Sequence, residues 1–138
     1  MSTARLVTVS LLICACGGIA TGCSGTPTEP RDTALAGRWS GDGACLSVAD
    51  SGCNLTVGCG HGQFPRPSVR ADGSFDVDGT YRIEVGPIGI DPAPAAHFSG
   101  TVTGSVLRLT VVPTARGLAA ATYTLTPSPT ALCAVLCL

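Results

Sequence analysis

The stretch "AHFSGTVTGSVLRLTVVP", Ala96 to Pro113, constrains the fold more than any other part of the chain. Phe98, Gly100 and Val102 alternate with Ser99, Thr101 and Thr103. After Gly104-Ser105, Leu107, Leu109 and Val111 alternate with Arg108 and Thr110. A period of two belongs to a strand with one wet face, because successive side chains leave a strand on opposite sides. Gly104-Ser105 suits a two-residue hairpin turn. Pairing across it sets Val102 against Leu107, Gly100 against Leu109 and Phe98 against Val111, all on one face. Register and turn agree, and a slip by one residue would wet the whole apolar set. Arg108 and Thr101 then face water together, and His97 lies opposite Val112 on the outer side.

The same period recurs along the chain. In "CLSVADSGCNLTV" a turn at Asp50-Ser51 sets Val48 beside Cys53 and Leu46 beside Leu55, with Cys45 on the opposite face. "ADGSFDVDGTYRIEV" supplies an Asp-Gly turn and then Phe75, Val77, Tyr81, Ile83 and Val85, with an expected interruption at Asp78-Gly79. "ATYTLTP" adds Ala121, Tyr123 and Leu125. The three prolines of "GPIGIDPAPA", Gly86 to Ala95, make that segment a rigid loop. No long stretch carries helical spacing with caps. The pattern predicts an all-β domain, a small antiparallel barrel or sandwich of six to eight strands, stapled by disulfides.

The N-terminus carries a different signal. Arg5 and the amino terminus precede an uncharged run from Leu6 to Cys16, the length of a signal-peptide core and too short to span a bilayer. "IATGC", Ile19 to Cys23, resembles a bacterial lipobox, although Ala20 stands where that family has a large aliphatic residue. The resemblance implies cleavage before Cys23 and lipidation of its sulfur and new amino group with diacylglycerol and a fatty acyl chain such as palmitate. Ser24 resembles an outer-membrane sorting context. Ordinary secretion with cleavage nearby, or an uncleaved anchor, are the alternatives. Residues 1–22 are thus read as signal peptide and residues 23–36 as lipidated cysteine and tether. Residues 37–138 are read as the β-domain. The tether "SGTPTEPRDTALA" is small and polar; fully extended, about a dozen residues reach roughly 40 Å.

A domain of about 100 residues buries only about 60–65% of its unfolded surface and is marginal without help. Composition adds exclusions. There is no lysine, net charge is −1, and the arginines stand singly; a nucleic-acid surface would cluster positive charge among aromatics. Once Cys14 and Cys16 leave with the leader and Cys23 is lipidated, Cys45, Cys53, Cys59, Cys133 and Cys137 remain. In an oxidising space neighbouring thiols pair, and an odd count leaves one over. Cys53, Leu55, Val57 and Cys59 share a strand face, so both cysteines are expected to look inward, with the C-terminal segment lying on this region. Cys59-x-His61 with Cys133-x3-Cys137 could supply a tetrahedral zinc site, but the spacing is not a paired CxxC. His61, between two glycines, reads as a turn histidine bonded to backbone. No metal or other cofactor is expected.

Taken in order, "WSG" at Trp39, "CGHG" at Cys59, "GSFDVDGTY" at Gly73, "FSGTVTGSVLRLTV" at Phe98 and the terminal "CL" resemble a group of bacterial secreted or lipid-anchored small β-domains. The resemblance covers most of the mature chain and carries no activity with it. It implies a disulfide between the cysteine before His-Gly and the last cysteine, here Cys59 and Cys137. Closing so long a loop contributes on the order of 2–5 kcal/mol. Cys45, Cys53 and Cys133 are extra to that pattern; Cys133 with Cys53, or less easily with Cys45, would form a second bridge.

Catalytic signatures are missing. Neither histidine lies beside a G-x-S-x-G elbow, and Asp76 and Asp78 are better explained as strand-end residues than as a carboxylate pair or calcium corner. The chain is therefore expected not to be an enzyme. "LAGRW" resembles the Gly-x-Trp of lipocalin-like barrels and the opening of bacterial metalloprotease inhibitors, small periplasmic barrels with an N-terminal trunk. That similarity implies Trp39 as a barrel plug. The reading is an envelope lipoprotein, in the outer membrane rather than the inner, with a structural or protein-binding domain in the periplasm or at the surface. Its partners would be the membrane, through the anchor, and an envelope or extracellular protein. A protease-inhibitor-like or small-ligand-binding barrel is the alternative, although so few large side chains make a wide cavity doubtful.

Overall fold

A computed structural model describes residues 35–84 and 92–133. Eight strands follow one another: β1 (Gly37–Gly41), β2 (Ala44–Ala49), β3 (Gly52–Val57), β4 (Gly60–Phe64), β5 (Ser74–Ile83), β6 (Ala95–Thr103), β7 (Val106–Pro113) and β8 (Ala121–Pro127). Each pairs antiparallel with the next, and β8 returns to β1, so the sheet is a closed up-and-down barrel. Closure removes the free edges that a sandwich of this length would have to protect.

Both hairpins read from the alternation form in the expected register. Val102 faces Leu107, Gly100 faces Leu109 and Phe98 faces Val111. Val48 faces Cys53 and Leu46 faces Leu55. Their inward residues make the core: Phe98, Leu46, Leu55, Leu107, Leu109 and Leu125 are fully buried. Each such side chain contributes about 1.5–3 kcal/mol through burial. Phe64 and Phe98 stack with ring centroids 4.2 Å apart.

Four differences from the sequence reading have physical causes. First, β5 runs unbroken through Asp78-Gly79. Gly79 is needed because a Cβ there would strike the Gln63 carbonyl and the Phe64 side chain; the strand changes partner at this point without breaking, pairing with β4 over Thr80–Ile83 and with β6 over Ser74–Thr80. Second, "GHGQF" is a strand, so His61 is not a turn residue. Gly60 and Gly62 occupy inward positions, and the space above them is taken by Tyr81 and Phe98. Third, Cys59 does not look inward: β3 ends at Val57, and Cys59 is exposed in the turn to β4. Fourth, Leu35, read as tether, is buried in the core. Arg66 holds it, donating from Nε to the Leu35 carbonyl at 2.9 Å. Val69, from the β4–β5 connection, joins the same cluster.

The barrel is least regular where it closes. The β1–β8 ladder has only the pairs Trp39–Pro127 and Ser40–Thr126. Other contacts extend the seam. The Thr124 amide donates to Asp42 Oδ2 at 2.7 Å, and the Ser128 amide donates to the Arg38 carbonyl at 2.8 Å. Gly41 permits this approach, since a Cβ there would collide with the Thr124 carbonyl.

Candidate functional site

The outer wall of β1–β5 gathers most of the chemistry-bearing residues. Opposite one another across the ladder stand Ser40, Cys45, Thr56, His61 and Arg82. All are outward positions, yet Thr56 is only 7% exposed. The segment after β8 crosses β1 on the outside, where Arg38 donates to the Ala131 carbonyl at 3.2 Å. It is joined at Cys133 by a disulfide to Cys45, with Cα atoms 5.1 Å apart and a sequence separation of 88.

This corrects the preferred pairing of Cys133 with Cys53. Cys53 points into the barrel and is buried, whereas Cys133 arrives on the outer wall, so a β-sheet stands between them. Cys53 is a free thiol. Burial pushes its pKa up to about 11, partly offset by Arg66, so it is held neutral. Cys59 is itself disulfide-bonded. Its expected partner, Cys137, lies outside the described residues, as does the lipidation site Cys23. The zinc alternative loses Cys59 and Cys133 to disulfides. Among the described residues no group of three or more His, Cys, Asp or Glu side chains could hold a metal.

Beside the disulfide row, His61 Nε2 lies 3.4 Å from Glu84 Oε2, and Arg82 Nη2 lies 2.8 Å from Glu84 Oε1. The Glu84 amide donates to the Cys59 carbonyl at 2.9 Å, which ties the end of β5 to the β3–β4 turn. The cleft between His61, Thr80, Arg82 and Ala93 has a volume of about 20 Å³, enough for one water. On the far wall, Asp76 and Asp78 lie inside β5 rather than at a strand end, because the strand runs unbroken through Gly79, and each has its own partner. Asp76 is bound by Arg70, which lowers its carboxyl pKa. Asp78 accepts His97 Nδ1 at 2.8 Å, so His97 has a partner and is not merely solvated.

Trp39 is buried at 8% exposure and donates from Nε1 to the Ala36 carbonyl at 3.0 Å. The two tyrosines near the far end, Tyr81 and Tyr123, have pKa values raised by burial, and Tyr81 is raised further by Tyr123. Depressions lie between Ser51–Asn54 and Gln63–Pro65, about 440 Å³, and along Asp76, Ser99, Thr110 and Thr122, about 380 Å³; a third, about 400 Å³, lies between Val69–Gly73 and Val102–Gly104. The first two are open grooves on the wall.

Fold and site together define an eight-stranded up-and-down β-barrel with a disulfide on its outer wall. Comparison with protein-family models, curated proteins and solved structures finds no match to this chain.

Proposed function

We propose that the chain is an exported envelope lipoprotein whose barrel is a non-catalytic, structural or protein-binding module. The observation that carries this reading is the Cys45–Cys133 bond itself, formed on the outer wall between two half-buried cysteines. Bonds of that kind persist in an oxidising compartment and are rare in the cytosol. An export leader with a lipobox-like Cys23 agrees with it. A filled interior, closed by six fully buried large side chains, favours recognition on the outer wall over small-ligand carriage.

A second bridge, Cys59–Cys137, belongs to the same reading. Cys59 follows β3, the strand next to Cys45, so crossing from Cys45 to the β3–β4 turn takes about 10 Å at strand spacing. The four residues from Cys133 to Cys137 reach about 13 Å when extended. The two bridges would fasten the C-terminal segment at both ends.

The decisive experiment is mass spectrometry on chain purified from native envelope, combined with capture of bound proteins. The expected mature species begins at Cys23 and carries diacylglyceryl and acyl mass. A chain found in the cytosol with its leader intact refutes the proposal. Protection of a metalloprotease at near-stoichiometric ratio would replace the structural role with the inhibitor-like one.

A further inference from the structure

Leu132 is 88% exposed, the most open of the large aliphatic side chains among the described residues. A lone exposed leucine is ordinary on a protein surface. This one is held outward by the backbone on both sides of it. Before it, the Ala131 amide donates to the Ser128 carbonyl at 3.0 Å, and Arg38 Nη1 donates to the Ala131 carbonyl at 3.2 Å. After it, the half-buried Cys133 is bonded to β2. Leu132 also stands within "ALCAVLCL", a stretch without a charged, hydroxyl or amide side chain.

We propose that Leu132 is the contact by which the wall of β1 and β2 lies against a lipid bilayer surface. The inference rests on the reading of Cys23 as a lipid anchor. Three observations favour lipid over a protein partner. First, the tether reaches the barrel at Leu35, and only Ala36 and Gly37 separate that point from Arg38, which binds the Ala131 carbonyl. The exposed leucine therefore stands beside the place where the anchor joins the fold. Second, Arg38 is itself exposed and has no carboxylate partner among the described residues. An unpaired arginine is drawn to anionic headgroups, and its long stem keeps the guanidinium at headgroup level while a neighbouring apolar side chain goes deeper. Third, Leu132 is aliphatic, without the aromatic anchors that dominate protein–protein hot spots. The acyl chains supply the affinity; Leu132 supplies orientation. With the tether alone the barrel turns freely within roughly 40 Å of the headgroups. With Leu132 in the interface, the wall bearing Asp76 and His97 is turned towards solvent.

The test places a reporter at this position. The full chain carrying Leu132→Trp is purified from native envelope and put into vesicles of phosphatidylethanolamine and phosphatidylglycerol, with and without brominated acyl chains. Trp39 is buried in the core, so the unsubstituted chain supplies its baseline. The added emission is expected to fall about twofold or more with brominated lipid, because a side chain at the headgroup–acyl boundary is within reach of the bromines. Iodide in the aqueous phase is expected to leave it unquenched. An added indole that stays open to iodide and untouched by bromine on an acylated chain overturns the proposal and leaves the anchor reading standing. Shielding from iodide without bromine quenching also overturns it, because protein then covers the position. The mass of the same preparation reports the anchor separately. A chain without acyl mass refutes the anchored reading, and its flotation with the same vesicles then decides the lipid contact: bromine quenching on the floated chain upholds the contact, and failure to float overturns it.

Discussion

Gly62 and Phe98 are packed against one another so closely that each limits what the other can be. A Cβ placed on Gly62 would lie 3.0 and 3.1 Å from two ring carbons of Phe98 and 3.3 Å from the Leu55 Cβ. Ordinary carbon contacts are about 3.5–4.0 Å, so Gly62→Ala overpacks the site at a cost of about 1–3 kcal/mol. Removing a strand glycine returns about 0.5–1 kcal/mol, leaving a net loss of roughly 1–2 kcal/mol. Phe98→Leu alone forfeits the Phe64 stacking and leaves a void, about 1–2 kcal/mol. In the Phe98→Leu background the methyl of Gly62→Ala fills that void. The second substitution then becomes neutral or stabilising, with a coupling of about 1–2 kcal/mol, inside the range seen for touching residues. Denaturant unfolding followed by Trp39 fluorescence and far-ultraviolet circular dichroism measures all four corners of the cycle. One kcal/mol corresponds to about 4–8 °C in Tm for a domain of this size. If Gly62→Ala costs the same in both backgrounds, the glycine is not there to admit the ring.

Three further expectations follow from particular residues. Asp42 has a φ of 51° and accepts the Thr124 amide; Asp42→Ala loses the bond and keeps the left-handed strain, so its Tm should fall below that of Asp42→Gly by about 4–8 °C. The Cys53 thiol, with its pKa raised from 9.0 to about 11, contributes stability that is complete below about pH 9 and is lost as pH rises towards 11. Cys53→Ala should flatten that alkaline limb, and thiol reagents at pH 8 should label Cys53 only at the rate of unfolding; rapid labelling of the native chain would contradict its burial. Asp76 is held below its ordinary value of 3.8 by Arg70, and Asp72 by Ser74. Their contribution is present above about pH 4 and lost as pH falls through the lowered values, so Asp76→Asn should make the acid transition shallower in a circular-dichroism titration.

The hairpins were legible because their inward positions carry Leu, Val and Phe, which print the strand period onto the sequence. β4 was not, because two of its three inward positions are Gly60 and Gly62, leaving Phe64 alone to mark the period, and the atoms that fill the glycine positions belong to Tyr81 and Phe98 on other strands. Hydrophobic alternation records what a strand brings to the core, not what its neighbours bring. The choice between barrel and sandwich was closed to sequence for a related reason: it turns on two pairs, Trp39–Pro127 and Ser40–Thr126, between strands at opposite ends of the fold. The outward face of Cys45 was legible from its hairpin. Its partner was not, since that depends on the path of an irregular segment over the outside of the wall.

The glycines of β4 also bear on the order in which the barrel assembles. A strand that brings one large inward side chain, Phe64, beside two glycines gains little by docking before the rest of its cover exists. β4 precedes Tyr81 and Phe98 in the chain, yet the space over its glycines is filled only after β5 and β6 have brought their rings over it. Substitutions in the β5–β7 ladders, the longest in the barrel, are accordingly expected to give higher φ-values in stopped-flow folding than substitutions in β4.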